Sequence, residues 1–171
     1  MQSESVVRMV ALLAAERAQL SMRGPYFCIR HRFWQPETIC TPGEMIAEIR
    51  LQHRAREISV PLSSRLMILF DYLARHRHLG QCAEHIAAGL TVDPFSRRHG
   101  AYAKTSLKLN KGVSRTAVKQ QVMRLRAGLR RAFRKAGLSL DPRRVLVSET
   151  TTTNETRYRL RASVSWEHLE F

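Results

Sequence analysis

The stretch from Ser114 to Ala136, SRTAVKQQVMRLRAGLRRAFRKA, decides how the chain is read. Ser114 is a good N-cap. Val118, Val122, Leu125, Leu129, Phe133 and Ala136 then recur at steps of three or four. That spacing predicts a helix with one narrow apolar arc. The opposite face carries Thr116, Lys119, Gln120, Met123, Arg124, Arg130, Arg131 and Arg134, and Gly137 stands where the helix would stop. One side must be buried, while the other presents cations and an amide. Such a helix can dock on its own domain and still enter the major groove of DNA, which is wide enough to admit it.

The charge distribution agrees. The chain has 171 residues and a formal net charge of +15. Residues 94–140 hold 13 basic and no acidic side chains, whereas residues 1–93 hold 11 basic and 9 acidic, and residues 141–171 hold five of each. A solubility device would be dispersed; this excess is local, and it points to a polyanion, nucleic acid before membrane. Hydrophobic residues at 44% and charged residues at 25% are ordinary for a globular domain. No apolar run approaches the roughly 18 residues of a membrane span. Arg8 interrupts the apolar stretch Val6 to Ala15 and no basic region precedes it, so a signal peptide is not expected. Three cysteines, Cys28, Cys40 and Cys82, make no disulfide framework, and reduced cytoplasmic thiols are expected. The expected location is the cytoplasm, with the nucleoid.

Outward from the basic helix, Val145–Ala162 reads as a β-hairpin around Thr152 to Glu155, with Arg157, Arg159 and Arg161 alternating on its second strand. Upstream, residues 91–113 read as a long basic loop carrying Arg97, Arg98, Lys104, Lys108 and Lys111. Before it comes a short helix, roughly Gln81 to Ala88, stopped by Gly89. Earlier still is a helix capped by Ser63 or Ser64, with Leu66, Leu69, Phe70 and Leu73 on its apolar face. Residues 26–60 read as an antiparallel meander of three or four strands, burying Ile46, Ile49 or Leu51, Ile58 and Val60. Residues 3–22 read as a helix, either packed on its own domain or serving as a dimerisation arm. The expected divisions are an N-terminal helix (1–23), the meander (24–60), the DNA-binding domain (61–165) and a tail (166–171).

Helix, short helix, long basic helix and hairpin form the order of a winged helix-turn-helix. Three segments in that order resemble the OmpR/PhoB-type DNA-binding domain. Val60-Pro61-Leu62-Ser63-Ser64 with the following Arg65 to Leu73 is similar to the family's opening "V-P-L-T/S-x-x-E-x-x-L-L-x-x-L", without its acidic residue. Val118, Val122, Arg124, Leu125, Arg126 and Leu129 match the recognition-helix pattern "V-x-V-x-I-x-R-L-R-x-K-L". Arg157-Tyr158-Arg159-Leu160 is similar to the "G-Y-R-L" that ends the wing, with Arg157 in place of glycine. The resemblance covers about residues 44–162. It implies an α+β fold with a small N-terminal sheet and a bacterial or phage transcription regulator acting as a homodimer on double-stranded DNA. It also implies that the loop between the second and third helices is where RNA polymerase is contacted; residues 91–113 are longer than that loop usually is. The 43 residues before Glu44 are too few for a receiver domain, so phosphorylation control in cis is not expected.

The candidate DNA-contacting residues are Arg115, Thr116, Lys119, Gln120, Met123, Arg124, Arg126 and Arg130 on the helix. On the wing they are Thr153, Asn154, Arg157, Tyr158 and Arg159. On the loop they are Arg97, Arg98, Lys104, Lys108 and Lys111, for DNA or polymerase. No catalytic residue, cofactor, metal or small-molecule substrate is expected. The spacing of Cys28, His31, Cys40 and His53 does not repeat as in a zinc finger, and a strand sends Cys28 and His31 to opposite faces. Tyr158 between two arginines invites a strand-transfer reading, but such arginines on a wing serve binding. No P-loop, glycine-rich fingerprint or nucleophile elbow is present. Two other classes remain open: an adaptor that grips RNA polymerase or a replication protein with DNA contact secondary, and a charge-driven RNA or nucleoid binder.

Overall fold

The apolar faces of the meander and of the basic helix close on one another through three phenylalanines. In a computed structural model, which describes residues 25–34, 43–93 and 115–169, Phe27 meets Phe70 edge-on at 5.0 Å and lies 6.4 Å from Phe133. The described residues form a mixed α+β fold of four helices and two small sheets.

β1 (Tyr26–Trp34), β2 (Gly43–His53) and β3 (Arg56–Ser59) make the antiparallel meander. The choice between Ile49 and Leu51 dissolves, because both are buried on the same face, opposite Ile29 and Phe27. Ile46 is buried there too, although it is three residues from Ile49. A β-bulge makes this possible: Arg30 pairs with Glu48 and His31 with Ile46, so Ala47 has no cross-strand partner. Cys28 and His31 fall on opposite faces. Cys28 hydrogen-bonds Ser165, and burial holds its thiol above the ordinary value; His31 lies against Asp71.

α1 (Ser64–Arg75) and α2 (Ala83–Val92) meet at a close approach of Gly89 to Tyr72. Gly89 lies inside α2 and does not end it. A Cβ on Gly89 would stand 2.0 Å from the Tyr72 hydroxyl oxygen. The missing side chain is therefore the seat of the Tyr72 ring, whose hydroxyl donates to Gln81 Oε1 at 2.9 Å. Gln81 and Cys82, read from sequence as the start of this helix, form β4 instead.

α3 (Arg115–Ala136) is the long basic helix. Its predicted stripe, Val118, Val122, Leu125, Leu129, Phe133 and Ala136, is buried throughout. Gly137 ends it at φ 69, with Leu138 N donating to Phe133 O at 2.8 Å and Gly137 N to Arg134 O at 3.1 Å, the paired bonds of a Schellman stop. A single turn, α4 (Pro142–Val145), is capped by Asp141. The hairpin β5 (Leu146–Thr150) and β6 (Thr156–Leu160) follows, and β4 joins it on the β6 side.

β7 (Ser163–Leu169) then returns to pair in parallel with β1. Residues 166–169, read from sequence as part of a tail, are thus in the first sheet. Trp166 on β7 donates Nε1–H to Asp71 at 2.9 Å, and Arg75 donates to the same carboxylate at 2.8 Å and to Asp93 at 2.6 Å. Asp71 is fully buried. Burial alone raises its pKa, but His31, Arg75 and Trp166 outweigh it and hold the carboxyl below its ordinary value. This cluster fastens α1, the end of α2 and the C-terminal strand together.

Two outcomes follow. Gly89→Ala gains helix propensity of about 1 kcal/mol but drives Cβ into a buried ring, which costs about 1–3 kcal/mol. Urea denaturation shows a net loss in the unaltered background and none once Tyr72→Leu removes the ring. For Asp71 the folded carboxyl titrates below the unfolded one, so its contribution is complete above about pH 4 and is lost as pH falls through the folded value. Stability of the unaltered protein therefore drops on acidification below that point, while Asp71→Asn is less stable at neutral pH, by about 3 kcal/mol, and flatter in acid.

Candidate nucleic-acid interface

Eight cations and no acid lie on α3. With the apolar stripe buried, a helical wheel puts Thr116, Gln120, Met123, Ala127, Arg131 and Arg134 at the centre of the outward face. Lys119 and Arg130 flank it on one side, Arg124 and Lys135 on the other. Met123 is 68% exposed, a large apolar side chain held out in water on a helix whose inner side is full. No described carboxylate pairs with Lys119, Arg124, Arg130, Arg131, Arg134 or Lys135 among the described residues.

Two of the candidate arginines on α3 are committed elsewhere. Arg115 pairs with Glu84 in the first turn of α2. Arg126 turns sideways to the hairpin, where its guanidinium donates to Leu146 O at 3.1 and 2.7 Å and to Ser148 Oγ. Burial lowers its pKa, and nearby Arg143 adds to the shift, although a guanidinium stays charged. Arg126 is thus a strut between α3 and β5, not a member of the outward face. Tyr158 is 6% exposed and belongs to the core, where burial raises its pKa. Its ring does not reach the hairpin surface, and this removes it from the candidate contacts.

The hairpin itself is less basic than its sequence suggests. Its ladder sets Glu149 opposite Arg157 and Val147 opposite Arg159, so all these side chains share one face. Glu149 accepts from both Arg159 and Arg161 at 2.9 Å. Glu155 accepts from Arg157 at 2.9 Å, which holds its carboxyl below the ordinary value. The tip is neutral and polar. Thr151 Oγ1 accepts from Glu155 N, and Asn154, exposed at φ 59, occupies the left-handed conformation that asparagine tolerates. Thr152 and Thr153 are exposed beside it.

The structure therefore brings Thr116, Lys119, Gln120, Met123, Arg124 and Arg130 onto one exposed helix surface, with Thr153 and Asn154 at an exposed hairpin tip. Arg97, Arg98, Lys104, Lys108 and Lys111 lie outside the described residues. Sequence reading passed over Arg143 and Arg144, exposed on α4, which packs beside α3. It also passed over the carboxylates that tie up the hairpin arginines. The signal for the latter was present: two glutamates spaced to face an alternating arginine strand. Among the described residues no helix is long and apolar enough to cross a membrane. Comparison of the chain with protein-family models, with curated proteins and with solved structures finds no match.

The Arg126 strut makes a prediction. Its bonds join a charged donor to a backbone carbonyl, an interaction worth about 1.5–3 kcal/mol. Arg126→Ala lowers stability by that order in thermal unfolding, and Arg126→Lys, which keeps the charge but not the fork, recovers only part.

Proposed function

We propose that this chain is a sequence-specific, double-stranded-DNA-binding regulator of transcription with winged helix-turn-helix architecture. In this reading α1, α2 and α3 are the three helices, α3 is the recognition helix and the β5–β6 hairpin is the wing. The observation that carries the reading is α3 itself: 22 residues without an acid, anchored along its whole apolar stripe and cationic along its exposed side. Solvation alone gives no reason to exclude every carboxylate from such a surface, whereas a polyanionic partner does.

The roles divide by chemistry. Gln120 offers the bidentate donor and acceptor that fit adenine, and Lys119 and Arg124 offer donors that fit guanine. Met123, exposed and apolar, suits the methyl of thymine. Thr116, at the helix start, suits a phosphate, aided by the exposed amide groups and dipole of the N-terminus. Thr153 and Asn154 at the wing tip suit the neighbouring backbone. Arg126 acts through structure by fixing the wing against α3. The chain is expected to act as a homodimer on paired half-sites.

Selection from a pool of random duplexes, followed by sequencing, tests this. The expected result is an enriched motif bound at physiological salt, with two half-sites if the dimer holds. Gln120→Ala and Lys119→Ala should each weaken binding by about 1–3 kcal/mol and relax preference at particular base positions. An unenriched pool, with affinity that merely collapses as salt rises, refutes base readout.

A further inference from the structure

The cations of this chain fall into two groups that sequence alone makes look alike. In one, Arg157, Arg159 and Arg161 of the hairpin are each held by Glu149 or Glu155 at 2.9 Å. Three positive charges there face two negative ones on a single short face. In the other, Arg130, Arg131, Arg134 and Lys135 on α3 and Arg143 and Arg144 on α4 are all exposed, and none is paired with a described carboxylate. The nearest acid in sequence is Asp141, whose Oδ1 accepts from Arg143 N as the cap of α4.

The two groups also differ in mounting. The second half of α3 is the better-anchored half. Leu129, Ala132, Phe133 and Ala136 are buried beneath it, Phe133 lies near Phe27, and Gly128 fits under Leu62. The cations therefore stand on a surface that cannot retreat from a partner. Arg134 and Lys135 gain something from the carbonyl end of the helix. That effect does not account for Arg130, Arg131, Arg143 or Arg144, which lie outside the last turn of α3.

Length decides what such a surface can meet. A helix of 22 residues is about 33 Å long, far longer than the roughly 12 Å width of the major groove. With the first half of α3 at base edges, its second half lies beyond the groove. There it meets only what borders the groove, the sugar-phosphate backbone.

Building on the proposed DNA-binding role, we infer that the electrostatic grip of this chain is a ridge formed by Arg130, Arg131, Arg134, Lys135, Arg143 and Arg144, which holds the phosphates of duplex DNA flanking the base-contacting half of α3, and that the hairpin makes almost no net ionic contribution. The wing guides by shape and hydroxyl contacts. Its arginines remain with Glu149 and Glu155.

The test is the salt dependence of duplex binding by the full chain. It is followed by fluorescence anisotropy on a labelled duplex of roughly three helical turns, about 30 base pairs. Each lost phosphate contact lowers the slope of log K against log salt by about 0.9. The ridge variant R130Q/R131Q/R134Q/K135Q is expected to lose at least about two in slope, and R143Q/R144Q about one to two. The hairpin variant E149Q/E155Q/R157Q/R159Q/R161Q is expected to lose less than about one. R54Q/R56Q, which removes as much charge as R143Q/R144Q from the β2–β3 turn and the start of β3, outside the ridge, should lose less than about one. Circular dichroism melts establish that each variant is folded; if the four-site ridge variant is not, R130Q/R131Q replaces it, with an expected loss of at least about one. A ridge loss no larger than that of R54Q/R56Q, or a hairpin loss larger than the ridge loss, overturns the inference and leaves the DNA-binding reading standing. Failure of the unaltered chain to bind any duplex overturns both.

Discussion

Everything exposed on α3 depends on what is buried beneath it. Eight cations on one helix repel one another, at about 0.2–0.5 kcal/mol for each close like-charge pair. Burying a leucine or phenylalanine returns about 1.5–3 kcal/mol. α3 buries Val118, Val122, Leu125, Leu129, Phe133 and Ala136, so the burial term outweighs the repulsion several-fold. The core beneath is not local. Phe133 meets Phe27 of β1, which meets Phe70 of α1, and β1 is flanked by β7 from the far end of the chain. A substitution that loosened the contacts of Phe27 with Phe70 and Phe133 would weaken the burial that holds these cations on one helix.

The second constraint is the division of arginines between structure and surface. Arg75, Arg115, Arg126, Arg157, Arg159 and Arg161 are all spent within the chain, on carboxylates or on a carbonyl. The more exposed pairs among them, on Arg115, Arg157, Arg159 and Arg161, add little stability, since an ion pair in water is worth about 0–1 kcal/mol. Their consequence is directional. They remove charge from the hairpin and from the start of α3, and leave it on the middle and end of that helix and on α4. The net charge of +15 thus has an orientation that composition alone does not give.

Much of this was legible from spacing. The period of α3 named its buried residues, Gly137 marked its end, and the alternation in residues 146–160 marked the hairpin. What escaped has physical reasons. The bulge at Ala47 breaks the two-residue period, so Ile46 and Ile49 look as if they face opposite ways when both face the core. Gly89 reads as a helix stop because glycine usually marks one; its actual use, a seat for the Tyr72 ring, is a contact between helices that no local pattern encodes. The return of β7 to β1 joins residues more than a hundred positions apart. Within the candidate site, helical period separated outward from inward residues on α3 except at Arg126, which lies on the border of the stripe and is drawn to Leu146. Tyr158 was misplaced because alternation fixes two faces but not which one is inside. Only pairing with β4 and packing against the core settles that.

The central claim is that the outward face of α3, around Gln120 and Met123, lies in the major groove. Dimethyl sulfate probing of the bound duplex addresses it directly, because the reagent methylates guanine N7 in the major groove and adenine N3 in the minor groove. The account predicts protection of guanine N7 within the recognised motif, lost or weakened in Lys119→Ala or Arg124→Ala, with adenine N3 protection at most at the flanks. Protection confined to adenine N3, with guanine N7 fully reactive throughout, would contradict it.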